Sequence, residues 1–228
     1  MEGWLANPTG LPLSDEPDGR WRYFAKNEYF VFADAFTLTQ MVATQRPRRI
    51  VEIGSGFSSA VMLDVREHLT LPVEITFIEP YPERLETLLR PTDRDTTRLL
   101  KQPAQAVPDE EFAALEPGDF LFIDSSHVAK VGSDLADVFS RILPRIRTGV
   151  FVHFHDIFFP GPYPEVWLRE GRAWNEVLFL QTFLRFNEAF QVEWFNPYAG
   201  SRFRDRLAEA CPRFLKNTGG SLWLRRVK

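Results

Sequence analysis

Two short runs of the chain end in side chains that could carry acid, base or metal chemistry. FIDSSH places Asp124 three residues before His127, and HFHDI places His155 beside Asp156. Each run closes an apolar stretch, and a carboxylate there is costly to bury without a partner. Two carboxylates brought together repel each other unless a cation, a proton or a bound ammonium separates them. We interpret these residues as one candidate site, with His127 as a general base near neutral pH.

The histidines of the second run differ in their expected roles. His153 and His155 share one face of a strand, because side chains alternate with a period of two. His155 lies beside Asp156 and is the better site candidate, whereas His153 lies deeper and is expected to be a core histidine. Helix capping is the alternative role of Asp124 and Asp156, since each lies where a strand leads into a loop.

A third run, VEIGSGFSS, carries Gly54 and Gly56 with Ser55 between them. Glycine lets the backbone turn sharply and approach a ligand closely, and the amides that open a following helix would face the same pocket. Glu79 ends the next apolar run, where a carboxylate can bind both hydroxyls of a ribose. The pattern favours a nucleotide-like cofactor, and a plain tight turn is the alternative.

The elements that must position these residues alternate along the chain. Five strand-like runs are each followed by a helix-like run, which requires a parallel sheet with helices on both faces. Two further strand-like runs, FQVEWF and GGSLWLRRV, have no long apolar helix between them, which predicts antiparallel pairing at the sheet edge. We predict one α/β domain over residues 27–228, preceded by an N-terminal arm, residues 1–26, docked by Trp4, Trp21 and Phe24.

The amino-acid composition of the chain disfavours some classes of binding partner. The chain has 228 residues, with 27 Lys and Arg against 31 Asp and Glu and a formal charge of −4, which gives no electrostatic footprint for nucleic acid. The most apolar stretch, GVFVHFHDIFF, is shorter than the roughly 18 apolar residues of a membrane span. The single cysteine, Cys211, and the lack of a secretory pattern at the N-terminus favour a cytoplasmic protein.

Residues 27–228 resemble the class I S-adenosylmethionine-dependent methyltransferases, in particular bacterial O-methyltransferases of small molecules. VEIGSG, FIEPYP, GDFLFIDSSH, GVFVHFHDI and SLWLRRV carry the resemblance. Ser59 stands where the nicotinamide fingerprint has its third glycine or alanine, which disfavours a pyrophosphate cradle. Ser58 stands where many methyltransferases have a third glycine. The resemblance implies a Rossmann-like, mostly parallel seven-stranded sheet with an antiparallel C-terminal strand, S-adenosylmethionine as cofactor and a small-molecule hydroxyl as acceptor.

The resemblance also implies roles for individual residues. The methionine end of the cofactor is expected at Glu52, Gly54, Ser55 and Gly56, the ribose at Glu79, and the adenine near Gln102. Asp124 is expected to contact the cofactor and to act with His127 in catalysis. The loop 158–174 is a candidate lid, through Tyr163 and Trp167, with a rigid crossover as the alternative.

One branch of this family binds a divalent metal with acids at these same strand ends. Asp124 and Asp156 match that pattern, whereas Ile157 stands where a third oxygen ligand is common. Oxygen ligands alone would favour Mg²⁺, and addition of His155 would favour a transition metal. A nicotinamide-dependent oxidoreductase and a non-catalytic cofactor-binding protein are the alternative functions, and the sequence leaves a homodimer open.

Overall fold

The computed structural model describes residues 9–161 and 163–228 and is built around one seven-stranded sheet. Its strands are β1 (Arg49–Ile53), β2 (Glu74–Ile78), β3 (Arg98–Leu100), β4 (Phe120–Ile123), β5 (Phe151–Phe154), β6 (Phe190–Phe195) and β7 (Leu222–Arg226). The order across the sheet is β3-β2-β1-β4-β5-β7-β6. Strands β1 to β5 pair in parallel, and β7 pairs antiparallel with both β5 and β6. The predicted Rossmann-like sheet is confirmed.

The central strands are buried on both faces, as their continuous apolar sequences predict. All four residues of β4 and of β5 are buried, which is typical of parallel strands covered on both sides. Successive residues enter opposite layers: Ile50 and Phe120 belong to one core cluster, and Val51 and Leu121 belong to the other. The outer strand β6 is largely exposed. The sheet therefore provides a rigid platform whose carboxyl edge carries the candidate residues.

Ten α-helices cover the sheet in the described residues. They are α1 (Phe32–Gln45), α2 (Phe57–His68), α3 (Glu83–Leu88), α4 (Pro91–Thr96), α5 (Asp109–Ala113), α6 (Asp134–Asp137), α7 (Glu165–Arg169), α8 (Glu176–Leu184), α9 (Asn196–Arg202) and α10 (Arg204–Ala210). A π-helical turn, Val138–Ile142, continues α6, and 3₁₀ turns cover Ala104–Ala106 and Pro212–Lys216. None of these helices has the length and apolar character needed to cross a membrane.

The first long helix begins later than the sequence indicates. The helical pattern starts at Asn27, whereas α1 starts at Phe32. The Asn27 side chain accepts hydrogen bonds from the amides of Tyr29 and Phe30, at 3.0 and 2.7 Å, and so holds these residues in a turn. Asparagine competes with helix formation in this way because its short amide bonds to nearby backbone groups. The turn brings residues 28–31 to the carboxyl edge of the sheet.

The described part of the N-terminal arm is packed against α2 and α4. The Arg22 guanidinium lies 2.7 Å from Asp64 and 2.7 Å from Asp93, and all three side chains are buried. Trp21 packs edge-on against His68, and Phe24 packs in the same way against a neighbouring phenylalanine. Trp4 lies outside the described residues. The division of the chain into an arm and a domain stays a prediction.

Candidate functional site

A cavity of about 720 Å³ opens at the carboxyl ends of β1, β4 and β5. The strand order reverses between β1 and β4, and ligands bind at such a point in open α/β sheets. The glycine turn and Glu79 line one side of the cavity, and Asp124, His127 and Asp156 line another. The volume falls within the roughly 300–1,000 Å³ range of small-molecule sites. The fold therefore brings the two predicted groups of residues into one pocket.

The turn after β1 requires glycine at Gly54. Its φ angle is +79°, and a Cβ atom there would lie 1.8 Å from the backbone oxygen of Asp124. The backbone between the two glycines is tied to Glu79, because the Ser55 amide donates to Glu79 Oε2 over 3.0 Å. Gly56 opens α2, and a Cβ atom there would lie 3.2 Å from the Arg84 side chain. These contacts leave an open cradle between the turn and Glu79.

Glu52 lies behind this turn rather than in the cavity. It is fully buried, and it is not among the described residues that line the pocket. Ser58 donates to Glu52 Oε1 over 2.5 Å, and Ser59 donates to the other carboxylate oxygen. Burial raises the pKa of Glu52 to about 8, against the opposing effect of these hydrogen bonds. The two serines therefore bind Glu52, which fixes the start of α2 behind the pocket.

Gln102 is not brought to the cavity in the described structure. It follows β3, and its side-chain amide lies 3.5 Å from the carbonyl oxygen of Ala106. The pocket lining does not include it. The predicted contact of Gln102 with an adenine therefore finds no support in the geometry.

The acid and histidine cluster is centred on His127. Its Nε2 atom lies 3.3 Å from Asp124 Oδ1 and 3.8 Å from Asp156 Oδ2. Its Nδ1 atom lies 2.6 Å from Glu176 Oε2, at the first residue of α8. His127 and Asp156 both have left-handed backbones, with φ of +59° and +57°. Such conformations are uncommon outside glycine and cluster at functional sites.

These carboxylates set the charge of the cluster. Burial alone would lower the pKa of His127, but its hydrogen bonds with Asp124 and Glu176 outweigh burial and hold that pKa well above its ordinary value. Burial raises the pKa of Asp156, whereas His155 and His127 together outweigh burial and lower the pKa of Asp124. Asp124 and Asp156, predicted to converge, are brought together around the His127 ring.

The two histidines of β5 and its end have opposite charge states. Burial lowers the pKa of His155, but Asp156 and the other nearby acids outweigh burial and raise it to about 9. His153 is fully buried, stacks on Phe122 at 3.8 Å between ring centroids, and lies 3.1 Å from the Ser221 hydroxyl. Burial lowers the pKa of His153 well below its ordinary value. His153 is thus a core histidine whose pKa is lowered, and His155 is a histidine at the cavity whose pKa is raised.

The predicted donor set of Asp124, His155 and Asp156 does not fit a divalent metal. Among the described residues, no group of three or more His, Cys, Asp or Glu side chains is arranged to hold one. The His127 ring nitrogen lies between the two aspartates, where a bridging cation would have to bind. His155 Nε2 instead lies 3.3 Å from the carbonyl oxygen of Tyr29.

The loop 158–174 forms an aromatic wall of the cavity through Phe158, Trp167 and Trp174. The Trp174 ring lies 4.2 Å from the His127 ring, between centroids. Tyr163, predicted to reach a ligand, instead packs inward, and its hydroxyl accepts a hydrogen bond from the Val177 amide over 3.2 Å. Trp167 lines the pocket, whereas Tyr163 is not in its lining, and the role of the loop as a lid stays a prediction.

Comparison with known proteins identifies the domain that carries this pocket. Residues 51–157 match a family model described as a methyltransferase domain. They run from β1 to the residue after Asp156 and include the glycine turn, Glu79 and His127. This part of the chain is therefore similar to a methyltransferase domain. The resemblance to S-adenosylmethionine-dependent methyltransferases is confirmed by this match, which favours a methyltransferase over the nicotinamide-dependent alternative.

One relative of this chain is an uncharacterized protein of Archaeoglobus fulgidus. The two proteins are 36% identical over 109 residues, which are 46% of this chain and 48% of the relative. The match thus spans about half the length of that protein.

Solved structures of methyltransferases have the same fold as this chain. The methyltransferase PaMTH1 of Podospora anserina, bound to S-adenosylhomocysteine, has a TM-score of 0.53 at 16% identity over 85% of this chain and 78% of its own. The O-methyltransferase TomG of Streptomyces achromogenes, in complex with S-adenosylmethionine, has a TM-score of 0.52 at 15% identity over 84% and 78%. At these identities the likeness establishes the fold alone.

Four residues of the site were not predicted from the sequence. Glu176 binds His127, and Tyr29, Arg84 and Trp174 line the cavity. Glu176 opens a helix, where an acid is ordinary because it complements the helix dipole. The Arg84 guanidinium stacks on the Tyr29 ring at 3.6 Å from its centroid. Tyr29 and Glu176 lie far in sequence from the strand-end motifs, so that spacing gave no signal for them. Arg84 follows Glu79 by five residues and Trp174 ends the loop 158–174, but neither has a spacing that marks it as a site residue.

Proposed function

We propose that the protein transfers a methyl group from S-adenosylmethionine to a hydroxyl oxygen of a small-molecule acceptor. One observation carries this proposal: a single cavity joins the glycine turn and Glu79 to the acid and histidine cluster and the aromatic wall. Methyl transfer requires donor and acceptor to be aligned side by side with water excluded. The description of TomG as an O-methyltransferase that binds S-adenosylmethionine supports oxygen as the acceptor atom.

The residues on the glycine side fit the methionine and ribose parts of the cofactor. Gly54, Ser55 and Gly56 line the cavity. Gly54 lets the ends of β1 and β4 pack closely, since a Cβ atom there would lie 1.8 Å from the backbone oxygen of Asp124. The Glu79 oxygens accept hydrogen bonds from the backbone amides of Ser55 and Tyr81, at 3.0 and 2.8 Å. Each oxygen keeps a lone pair for a ribose hydroxyl. Asp124 packs against the turn through its backbone and belongs to this cofactor side.

The protein has two main tasks in this reaction: to align the methyl donor with the acceptor and to accept the acceptor's proton. The bound cofactor would supply an electrophilic methyl group, whose bond to sulfur breaks as its bond to the acceptor oxygen forms. The acceptor hydroxyl must lose its proton, and we assign the proton to the Asp156 carboxylate, which lines the cavity. Burial raises the pKa of Asp156, which makes it a stronger base than a free aspartate.

This assignment changes the role of His127 from the one that the sequence predicts. Both ring nitrogens face carboxylates, and a ring that holds both protons accepts no further proton. His127 would therefore hold Asp124 and Asp156 in place during the reaction, rather than take the acceptor's proton. The aromatic wall formed by Trp167 and Trp174 would pack against an apolar part of the acceptor and exclude water. A cytoplasmic location and a homodimer stay predictions from the sequence.

Isothermal titration with S-adenosylhomocysteine and with NAD⁺ tests the cofactor assignment. We expect binding of S-adenosylhomocysteine alone, weakened about tenfold or more by Glu79→Gln, which removes the charged acceptor of the ribose hydroxyls. Glu83→Gln is the matched control, because Glu83 is an exposed acid of α3 outside the pocket lining. Binding of NAD⁺ in place of S-adenosylhomocysteine would refute the proposal.

Methyl transfer itself is tested with radiolabelled S-adenosylmethionine and a panel of hydroxyl-bearing acceptors. We expect transfer by the wild-type protein and a loss of about 10²-fold or more in kcat for Asp156→Asn, since a positioned base contributes on that order. Unchanged S-adenosylhomocysteine affinity in Asp156→Asn would separate a loss of base from a loss of cofactor. Wild-type kcat in this variant would exclude Asp156 as the base.

A further inference from the structure

The gap between the two strand-end aspartates is filled by a side chain of the protein. His127 Nε2 lies within 4 Å of one oxygen of Asp124 and one of Asp156, at 3.3 and 3.8 Å. Two carboxylates at the ends of neighbouring parallel strands repel each other unless a cation or a proton lies between them. The His127 ring lies where such a cation or proton is needed, and it belongs to the protein itself.

Glu176 makes the ring a cation rather than a neutral imidazole. A neutral imidazole carries one N–H, so it can donate to a carboxylate from only one of its two nitrogens. Here Nδ1 lies 2.6 Å from Glu176 Oε2 while Nε2 faces Asp124 Oδ1. Glu176 is itself fully buried, and an ionised carboxylate there requires a charged partner. The geometry of three carboxylates around one ring is satisfied when both nitrogens hold protons.

The other charged groups around the ring do not replace it. His155 lies beside Asp156, 3.7 Å from its Oδ1 atom, and contacts the opposite carboxylate oxygen to the one that faces His127. Arg172 stacks on Trp167 and pairs with the exposed Glu170, and Arg84 stacks on Tyr29. Neither arginine forms an ion pair with either aspartate among the described residues. Among the described residues, His127 is therefore the basic side chain that lies within 4 Å of both aspartates, and His155 adds positive charge beside Asp156.

We propose that the His127 side chain is a built-in cation that replaces a divalent metal between Asp124 and Asp156, and that Glu176 is the residue that positions it. The site then needs no metal for its acids to converge. Methyl transfer in this chain is consequently metal-independent, a step that rests on the proposed function. The occupancy of the gap by the ring does not rest on it and is tested separately.

Binding of Mn²⁺, followed by electron paramagnetic resonance, tests the occupancy of the gap without any methyl transfer. His127→Asn removes the cation and suits the left-handed backbone at this position, since asparagine adopts it more readily than most residues. His127→Lys keeps a positive charge and is the matched control. We expect no stoichiometric Mn²⁺ site in the wild type or in His127→Lys, and affinity at least about tenfold higher in His127→Asn.

Two outcomes would overturn the proposal. One is a stoichiometric Mn²⁺ site in the wild-type protein that Asp124→Asn abolishes, a result that needs no variant of His127 to fold. The other is a folded His127→Asn variant that binds Mn²⁺ no better than the wild type. The double variant His127→Asn with Asp124→Asn must lose the Mn²⁺ affinity that His127→Asn gains. That loss would assign the new Mn²⁺ site to the gap between Asp124 and Asp156.

The role of Glu176 has its own spectroscopic signature. A downfield proton resonance from Nδ1 of His127 is expected at neutral pH, because the hydrogen bond to Glu176 is short and charge-assisted. Glu176→Gln should remove that resonance while the fold, followed by far-ultraviolet circular dichroism, is kept. Persistence of the resonance in Glu176→Gln would contradict the positioning role. In a methylation assay, chelator should leave the wild-type rate unchanged, and a rate restored only by Mg²⁺ would refute metal independence.

Discussion

Nδ1 of His127 lies 2.6 Å from Oε2 of Glu176, and the two residues are 49 positions apart in the chain. His127 follows β4, and Glu176 opens α8. The loop between them also binds at its end to the His127 backbone, because the carbonyl oxygen of His127 accepts the Asn175 amide at 3.0 Å. The pair therefore joins the cavity's acid cluster to the helix that covers it.

Glu176→Ala is expected to lower the free energy of unfolding by about 1–3 kcal/mol, because it leaves the buried Nδ1 of His127 without its acceptor while Asp124 still faces Nε2. The folded-state pKa of His127 is raised, so its stabilising contribution is present below its ordinary pKa and is lost as the pH rises through the folded value. The difference from wild type should be large near about pH 6 and shrink at alkaline pH. Urea denaturation across this range measures it.

Glu165→Gln is the control for that experiment. Glu165 pairs with Arg169 on the exposed surface of α7, and both side chains are more than three quarters exposed, at 77% and 78%. An exposed pair contributes about 0–1 kcal/mol. A pH-independent loss in Glu176→Ala would mean that the variant reports a cavity and not the charge of His127.

Gly54→Ala is expected to abolish binding of S-adenosylhomocysteine and to destabilise the fold by several kcal/mol. Its Cβ atom would lie 1.8 Å from the Asp124 backbone oxygen, so that the two strand ends must separate. Gly132→Ala is the matched control, because Gly132 has nearly the same φ, +80° against +79°, and open space around its Cβ position. We expect the control to lose about 1–2 kcal/mol from backbone strain alone. Equal losses in calorimetric unfolding would exclude the steric explanation.

Glu52→Gln is expected to change how stability depends on pH. The folded-state pKa of Glu52 is about 8 because of burial, and its ordinary value is 4.5. The folded protein thus binds a proton that the unfolded chain releases, and this contribution is lost as the pH rises through about 8. Relative to wild type, Glu52→Gln should gain stability between these values, by at most about 5 kcal/mol. A difference in the free energy of unfolding between Glu52→Gln and wild type that stays the same at all pH values would contradict this prediction.

The strands could be predicted because burial on both faces gives them continuous apolar sequences. FLFI and FVHF are β4 and β5, and both lie where the sequence predicts them. The positions of Asp124 and Asp156 follow from the ends of these strands, since neighbouring parallel strands end at one edge. The glycine turn and Glu79 were predictable for the same reason. Strand-end residues are therefore the part of a site that local pattern predicts best.

The charge state of the site could not be predicted in this way. His127 reads as a general base because an isolated imidazole titrates near neutral pH. Its raised pKa depends on hydrogen bonds with Asp124 and with Glu176, and Glu176 lies 49 positions away in the chain. A contact with so distant a segment leaves no local pattern. Gln102 lies outside the pocket lining, and its contact with an adenine stays a prediction.

Arg22→Met is expected to destabilise the protein by about 3–5 kcal/mol and to weaken binding of S-adenosylhomocysteine. The variant leaves the buried carboxylates of Asp64 and Asp93 without their cation, and one uncompensated buried charge has a cost of that order. Lys26→Met is the control, because the Lys26 ion pair with Glu16 is exposed and contributes about 0–1 kcal/mol.

Both variants lie in the segment that leads into the cavity wall, so the pair separates anchoring of the arm from simple loss of charge. The arm leads directly to Tyr29. The carbonyl oxygen of Tyr29 contacts His155, and the Arg84 guanidinium stacks on its ring. Release of the arm should therefore disturb the residues that line the pocket. Limited proteolysis should cut Arg22→Met within residues 9–26 faster than it cuts Lys26→Met. Equal denaturation midpoints and equal proteolysis rates in the two variants would show that Arg22 does not anchor the arm.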